Sequence, residues 1–285
     1  MLRIRLAKNI GFCSGVKRAI NIVEDELSKS KTKIYSLGPV IHNPAVTKQL
    51  EKRNLSIVSS LDNVEDSSTV ILPSHGSPRH ILNTVKKKKL RLIDVTCPYV
   101  SSVQKICKRL YRGGLKVVII GNRGHPEIRA LMDLVDEPYV IETIKDIPQN
   151  LFSYKKIGII SQTTQAKDTF FEIVSAVLQK NPKVSEAHIF NTICLDTIHR
   201  QEEVRKLASC VDALLVIGSR TSANTKRLLS IGRKVNRRTY LVETEDMPLH
   251  KILKNTRMIG LISGASTPNW LVKAIVKKIN KIRGK

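Results

Sequence analysis

The chain predicts an α/β fold built on parallel strands, and three observations carry that expectation. Short, β-branched apolar runs recur along its 285 residues. Amphipathic stretches of helical period lie between them. Most runs end in a turn rich in Gly, Ser, Asn or Pro. The runs are continuous rather than alternating, which suits strands covered by helices on both faces. Strands alternating with helices define the α/β class.

The elements follow in order. The opening stretch, Met1-Leu2-Arg3-Ile4-Arg5-Leu6, mixes charge with apolar residues and lacks the apolar core of a signal peptide. A first helix is expected at 16–27, with Ala19, Ile20, Val23 and Leu27 on one face. Strands are expected at 34–37, 70–72, 90–95, 117–120, 157–160, 213–217 and 258–262, and further helices at 103–110, 170–178 and 202–207. The last helix, at 270–282, stacks Leu271, Ile275, Ile279 and Ile282. Its lysines occupy the other face and its C-terminal end, where the helix dipole favours cations.

Composition narrows the class. At roughly 150 residues per domain the length implies about two domains. A hydrophobic content of 41% argues against disorder. No apolar run approaches the ~18 residues of a membrane span, so a cytoplasmic protein without membrane contact is expected. Forty-nine Lys and Arg against 24 Asp and Glu give a net charge of +25, which favours anionic partners. Aromatic residues are only 4%, and no helix-turn-helix, RRM or KH signature is present. Nucleic acid is therefore not an expected partner.

The turns are more informative than the strands. Five carry hydroxyls, amides or a histidine: Pro73-Ser74-His75-Gly76-Ser77-Pro78, Gly121-Asn122-Arg123-Gly124-His125-Pro126-Glu127, Ser161-Gln162-Thr163-Thr164, Gly218-Ser219-Arg220-Thr221-Ser222-Ala223-Asn224 and Ser263-Gly264-Ala265-Ser266-Thr267-Pro268. In a parallel sheet these turns lie at the carboxyl ends of strands, where α/β proteins bind ligands. With helix-opening N–H groups they suit a phosphate. One such turn is ordinarily a helix cap; five together imply a ligand pocket. Glu127 follows His125 by two residues, and a carboxyl beside a histidine and a hydroxyl such as Thr163 is a proton-delivery set. As a single residue, Glu127 is equally readable as an acidic first-turn residue stabilised by the dipole.

Of five cysteines, Cys13 and Cys194 stand before expected helices and Cys97 at a strand end, about one in each third of the chain. Cys107 and Cys210 read as buried small hydrophobes. No CxxC pair is present, so zinc-ribbon and thioredoxin readings are weak. Three separated thiols leave two readings open: three unrelated cysteines, or one shared metal site. A cluster with three thiolates keeps an iron open to substrate.

These segments, together with Gly11-Phe12-Cys13-Ser14-Gly15-Val16, Gly38-Pro39-Val40-Ile41-His42-Asn43, Asp94-Val95-Thr96-Cys97-Pro98 and Asn191-Thr192-Ile193-Cys194, occur in an order that resembles the 4-hydroxy-3-methylbut-2-enyl diphosphate reductases over nearly the whole chain. The resemblance implies a trefoil of three α/β units around a central cavity, at 14–96, 97–190 and 191–285, the last joined by 1–13. It implies one [4Fe–4S] cluster per chain, held by Cys13, Cys97 and Cys194, whose fourth iron takes the substrate's hydroxyl. Two electrons and two protons then remove that hydroxyl as water, giving isopentenyl and dimethylallyl diphosphate. It places His42, His75, His125, Ser222, Ala223, Asn224 and Ser266 at the diphosphate, Thr163 at the substrate hydroxyl, and Glu127 as proton donor. A ferredoxin or flavodoxin is the implied electron donor, and the oligomeric state is monomer or homodimer. In one departure, Ala223 stands where many members carry a second serine.

Overall fold

The computed structural model describes residues 2–283. In chain order the elements are β1 (Arg3–Leu6), α1 (Ser14–Lys29), β2 (Ile34–Leu37), α2 (Pro44–Glu51), β3 (Leu55–Val58), β4 (Thr69–Leu72), α3 (Arg79–Lys87), β5 (Arg91–Asp94), α4 (Pro98–Arg112), β6 (Lys116–Ile120), α5 (Pro126–Met132), β7 (Tyr139–Ile141), β8 (Lys156–Ser161), α6 (Lys167–Lys180), β9 (Glu186–Ile189), α7 (Leu195–Ala208), β10 (Ala213–Ile217), α8 (Ala223–Val235), β11 (Thr239–Val242), α9 (Leu249–Leu253), β12 (Met258–Ser263) and α10 (Asn269–Arg283). The protein is α/β, with three four-stranded, all-parallel sheets.

The chain forms two compact units. The first comprises Met1–Lys17, Ile41–Gln49 and Leu195–Lys285, and its sheet runs β1-β12-β10-β11. Successive side chains of β10 point to opposite faces, as the strand pleat requires. Ala213, Leu215 and Ile217 pack with Leu271, Ile275 and Ile279 of α10. Leu214 and Val216 pack with Val204 and Leu207 of α7 and Leu228 and Ile231 of α8. Both faces are covered, which is why β10 reads as an unbroken apolar run.

The second unit comprises Arg18–Val40 and Leu50–Cys194 and holds the other two sheets, β3-β2-β4-β5 and β7-β6-β8-β9. Val117 and Ile119 of β6 pack with Val103, Cys107 and Leu110 of α4 and Ile128 and Leu131 of α5. In the other sheet, Val70 of β4 packs with Leu61, Val85 and Leu90.

All three sheets follow one plan. Each has two central strands (β12 and β10, β4 and β2, β8 and β6) and one edge strand whose exit leads to a cysteine and then a helix. Those edges are β1, β5 and β9, leading to Cys13 and α1, Cys97 and α4, and Cys194 and α7.

The structure corrects three details of the sequence reading. The charged start of the chain is a strand, since Arg3–Leu6 pairs in parallel with Met258–Leu261. The helix expected at 202–207 begins at Leu195, directly after Cys194. Cys107 is fully buried, but Cys210 is exposed: it lies in the turn between α7 and β10, where Arg5 Nη1 donates to its sulfur at 3.2 Å.

Candidate active site

The three helix-adjacent cysteines share one local architecture. All five cysteines are thiols, and Cys13, Cys97 and Cys194 are half-buried. Each backbone N–H is held by the turn that follows a central strand. Cys13 N–H donates to Ala265 O (3.0 Å), Cys97 N–H to Ser74 O (2.9 Å) and Cys194 N–H to Thr163 O (2.9 Å). The carbonyls of Cys13 and Cys97 accept the first helical bonds, from Lys17 (2.8 Å) and Ser101 (3.0 Å). Val16 N–H also donates to Cys13 Sγ at 3.4 Å. A helix start carries partial positive charge and favours anionic sulfur. Among the described residues, no group of three or more His, Cys, Asp and Glu side chains is arranged to hold a single metal ion.

In the second unit, the turns after β6 and β8 meet around one carboxyl. Glu127 opens α5 and is 2% exposed. Its Oε1 accepts from Thr163 N–H (2.7 Å) and its Oε2 from Thr163 Oγ1 (2.8 Å). Burial pushes its pKa up to about 7, against the two Thr163 bonds that favour the charged form. Near neutrality the group is divided between acid and carboxylate, the condition for a general acid.

His125 caps the same helix. Its Nδ1 accepts from Glu127 N–H at 3.2 Å, so the neutral ring carries its proton on Nε2. His75 has the opposite arrangement: Nδ1 lies 3.1 Å from Gly76 O, an acceptor only, so Nδ1 holds the proton. Gln162 ties the turns together. Its Oε1 accepts from Asn122 N–H (3.1 Å), and its Nε2 donates to Thr164 Oγ1 (2.8 Å).

The first unit assembles the other predicted residues. Ser266 Oγ donates to His42 O (3.3 Å), and Asn43 Nδ2 donates to Ser266 O (2.9 Å). Burial first, then the Lys226 ammonium, hold the His42 pKa below its ordinary value. Lys226 lies in the first turns of α8, whose N-cap is Ser222, with Oγ accepting from Thr225 N–H at 3.3 Å. Ala223 is the first helical residue. Asn224 follows, 3% exposed, with neither its Oδ1 nor its Nδ2 hydrogen-bonded. A buried amide lacking every partner is costly, and Asn224 stands in the first turn of α8, where a helix offers N–H groups to an anion.

Sequence reasoning passed over Arg200, Ser263 and the role of Gln162. Asp196 and Arg200 stand four apart on one helix, a spacing that in sequence reads only as an ordinary surface pair.

A buried carboxyl titrating near neutrality, beside polar turns at the carboxyl ends of parallel strands, marks an α/β enzyme. The comparisons with known proteins specify which kind. The family described as LytB protein matches residues 4–280. The 4-hydroxy-3-methylbut-2-enyl diphosphate reductase of Aquifex aeolicus (strain VF5) is 37% identical, over 99% of this chain and 97% of its own. That of Pelobacter propionicus (strain DSM 2379 / NBRC 103807 / OttBd1) is also 37% identical, over the whole of both chains. Among solved structures, (E)-4-hydroxy-3-methyl-but-2-enyl diphosphate reductase, the terminal enzyme of the non-mevalonate pathway, matches with a TM-score of 0.73 at 36% identity, over 99% of this chain and 100% of that one. The E-1-hydroxy-2-methyl-but-2-enyl-4-diphosphate reductase from Plasmodium falciparum matches with a TM-score of 0.90 at 31% identity, over 97% of this chain and 87% of that one. The chain belongs to the LytB protein family, and like those relatives it is an oxidoreductase.

Proposed function

We propose that this chain reduces (E)-4-hydroxy-3-methylbut-2-enyl diphosphate to isopentenyl and dimethylallyl diphosphate, the last step of the methylerythritol phosphate route. The balance is an allylic alcohol plus two electrons and two protons, giving the alkene and water. The observation that carries the reading is Glu127, buried, doubly bonded by Thr163 and titrating near 7. Full-length relatives named for this reaction support it.

The cofactor we propose is one [4Fe–4S] cluster held by Cys13, Cys97 and Cys194. The donor set fits the group: three half-buried thiols, each immediately before a helix start. Each thiolate of such a cluster binds its own iron, so the three sulfurs need not converge on one point. When bound, the cluster would supply the electrons and a Lewis-acid iron for the hydroxyl. The rest falls to the side chains. In its acid form Glu127 donates from Oε2 to Thr163 Oγ1, the reverse of the bond to the carboxylate, and Thr163 gives its own hydroxyl proton toward the leaving hydroxyl. His125 donates from Nε2 to the diphosphate. His42, His75, Ser222, Asn224, Ser266 and the N–H of Ala223 complete its binding. Holding the remote diphosphate orients the reacting carbon.

We further propose three α/β units, 14–96, 97–190 and 191–285 with 1–13, each beginning within a few residues of one cysteine, Cys13, Cys97 or Cys194. The single parallel sheet in each segment supports that division. A cytoplasmic location, an acidic ferredoxin or flavodoxin drawn by the +25 charge, and a monomer or homodimer complete the proposal. No helix among the described residues is long and apolar enough to cross a membrane.

The test is anaerobic reconstitution with iron and sulfide, then turnover with a reduced viologen. About four irons per chain and formation of both products are expected. Protein that takes up no iron, or turns over without it, overturns the proposal.

A further inference from the structure

We propose that Arg200 is a positioning residue for Cys13, setting the course of the loop from β1 to α1 and with it the direction of the Cys13 sulfur. The role rests on the reading of Cys13 as a cluster ligand. Arg200 is only 2% exposed. Its five N–H donors are all engaged, by five close acceptors and a longer sixth, Ser263 Oγ at 3.4 Å from Nη1. Nε donates to Asp196 Oδ2 (2.7 Å) and Nη2 to Asp196 Oδ1 (3.3 Å). Nη1 donates to Asn9 O (2.8 Å) and Ser263 O (2.9 Å), and Nη2 also donates to Gly11 O (3.0 Å). Two of the five acceptors are therefore carbonyls of the loop that delivers Cys13.

The loop is held from other sides as well. Gly11 N–H donates to Ser263 Oγ at 2.7 Å. Glu203 accepts from Lys8 N–H, and its Oε2 from Asn9 N–H at 3.0 Å. Gly11 has φ +85°, and a Cβ there would lie 1.8 Å from Asn269 Oδ1. A loop that merely joined a strand to a helix could lie on the surface with its backbone in water. Burying a guanidinium beneath it is costly and fixes a geometry that a lysine, lacking the planar fork, cannot reproduce.

Two other arginines show a weaker form of the same device. Each lies on the helix that follows one cysteine and touches the approach to another. Arg18 Nη1 on α1 donates to Thr96 O, before Cys97, at 3.3 Å. The Arg109 guanidinium on α4 sits 5.0 Å over the Phe190 ring, before Cys194. Both are exposed and make one such contact, so they provide the internal comparison for buried Arg200.

The experiment measures alkylation of each cysteine by iodoacetamide, by mass spectrometry, in the full chain freed of iron. The variants are Arg200→Lys and the milder Ser263→Ala. Cys107, fully buried, reports general unfolding. The Cys13 rate should rise about fivefold or more in both variants, with Cys97, Cys194 and Cys107 within about twofold of the unaltered chain. The reconstituted variants should take up iron with a changed electron paramagnetic resonance signal. A Cys13 rate unchanged in both variants, or a Cys107 rate that climbs with it in both, overturns the proposal. Iron uptake by the unaltered chain separates the two claims. Failure there removes the cluster reading and with it this role, whereas normal uptake with unchanged thiol rates removes only the role of Arg200.

Discussion

Cys13 and Cys97 stand at equivalent places in two sheets, yet their approaches are built differently. Cys97 follows β5 by three residues. That approach needs little: Thr96 N–H bonds to Asp94 Oδ1 at 2.8 Å, and Arg18 makes one exposed contact. Cys13 follows β1 by seven residues, and its approach is gripped by Arg200, Ser263 and Glu203. A longer segment has more backbone freedom to lose on ordering, so holding its end in the same position takes more bonds. Equivalent ends reached by unequal routes indicate that the position of the thiol is the constrained quantity.

The largest expected effect tests that equivalence. Replacing Cys13, Cys97 or Cys194 by Ala should abolish iron retention and lower turnover by about three orders of magnitude or more, well beyond the cost of losing a ligand's supporting partner. One cysteine that tolerates replacement would break the comparison. Cys107→Ala is the contrast. That thiol is pushed up to about 12 by burial and behaves as a packed apolar group. The change should cost stability and leave iron content intact.

Glu127→Gln comes next, with a fall in turnover of about 10²–10⁴ and unaltered iron content. Turnover of the unaltered chain should decline as pH rises through about 7, because the acid form is the donor. The same residue gives a stability signature. Its folded pKa is raised above the ordinary 4.5, so its stabilising contribution is complete below about 4.5 and is lost as pH climbs through about 7. The span corresponds to about 3 kcal/mol. Denaturant unfolding at pH 5 and pH 8 should show a smaller pH dependence in the glutamine variant. An equal dependence in both would remove Glu127 as its source.

Glycine substitutions test how firmly the loop before Cys13 is held. Gly11→Ala meets both a positive φ and the Asn269 side chain at 1.8 Å. Gly38→Ala meets a positive φ of 76° but has nothing within 4 Å of its Cβ. Gly38→Ala should cost about 1 kcal/mol, and Gly11→Ala about 1–2 kcal/mol, since the Asn269 amide it meets is the exposed end of a side chain that can turn aside. The denaturant midpoint measures both. A loss at Gly11 well below that at Gly38 would show that the loop before Cys13 can yield, contrary to its dense bonding.

What the sequence showed depended on burial. The central strands β2, β4, β6, β8, β10 and β12 are legible because helices cover both faces; every residue of Ala213–Ile217 is buried. At the edges the pattern fades. Three of the four β1 residues and three of the four β9 residues are exposed, so Arg3–Leu6 and Glu186–Ile189 carry no unbroken apolar run. β3, β7 and β11 are short and half-exposed and passed unread for the same reason. In the site, Glu127, Thr163 and His125 were legible as types in neighbouring turns, and the structure joins them. Arg200 was not, because a buried arginine reads in sequence like any charged helical residue, and only its distant partners Asn9, Gly11 and Ser263 distinguish it.

The smallest effect concerns Ala223. Beside it Ser222 caps α8, and Asn224 is buried with both amide atoms unbonded. Position 223 offers an anion only its backbone N–H. Ala223→Ser adds a hydroxyl at a helix start. One further hydrogen bond is worth about 0.5–1.5 kcal/mol net, so KM for the diphosphate should fall about 2- to 10-fold, with kcat held within about twofold. Steady-state kinetics at one pH and salt concentration measures it. Inorganic diphosphate should become a correspondingly stronger inhibitor, because the added contact is made to that group alone. An unchanged KM with unchanged inhibition would mean that the diphosphate does not reach this turn, and the binding role of Asn224 would then have to be reassigned along with it.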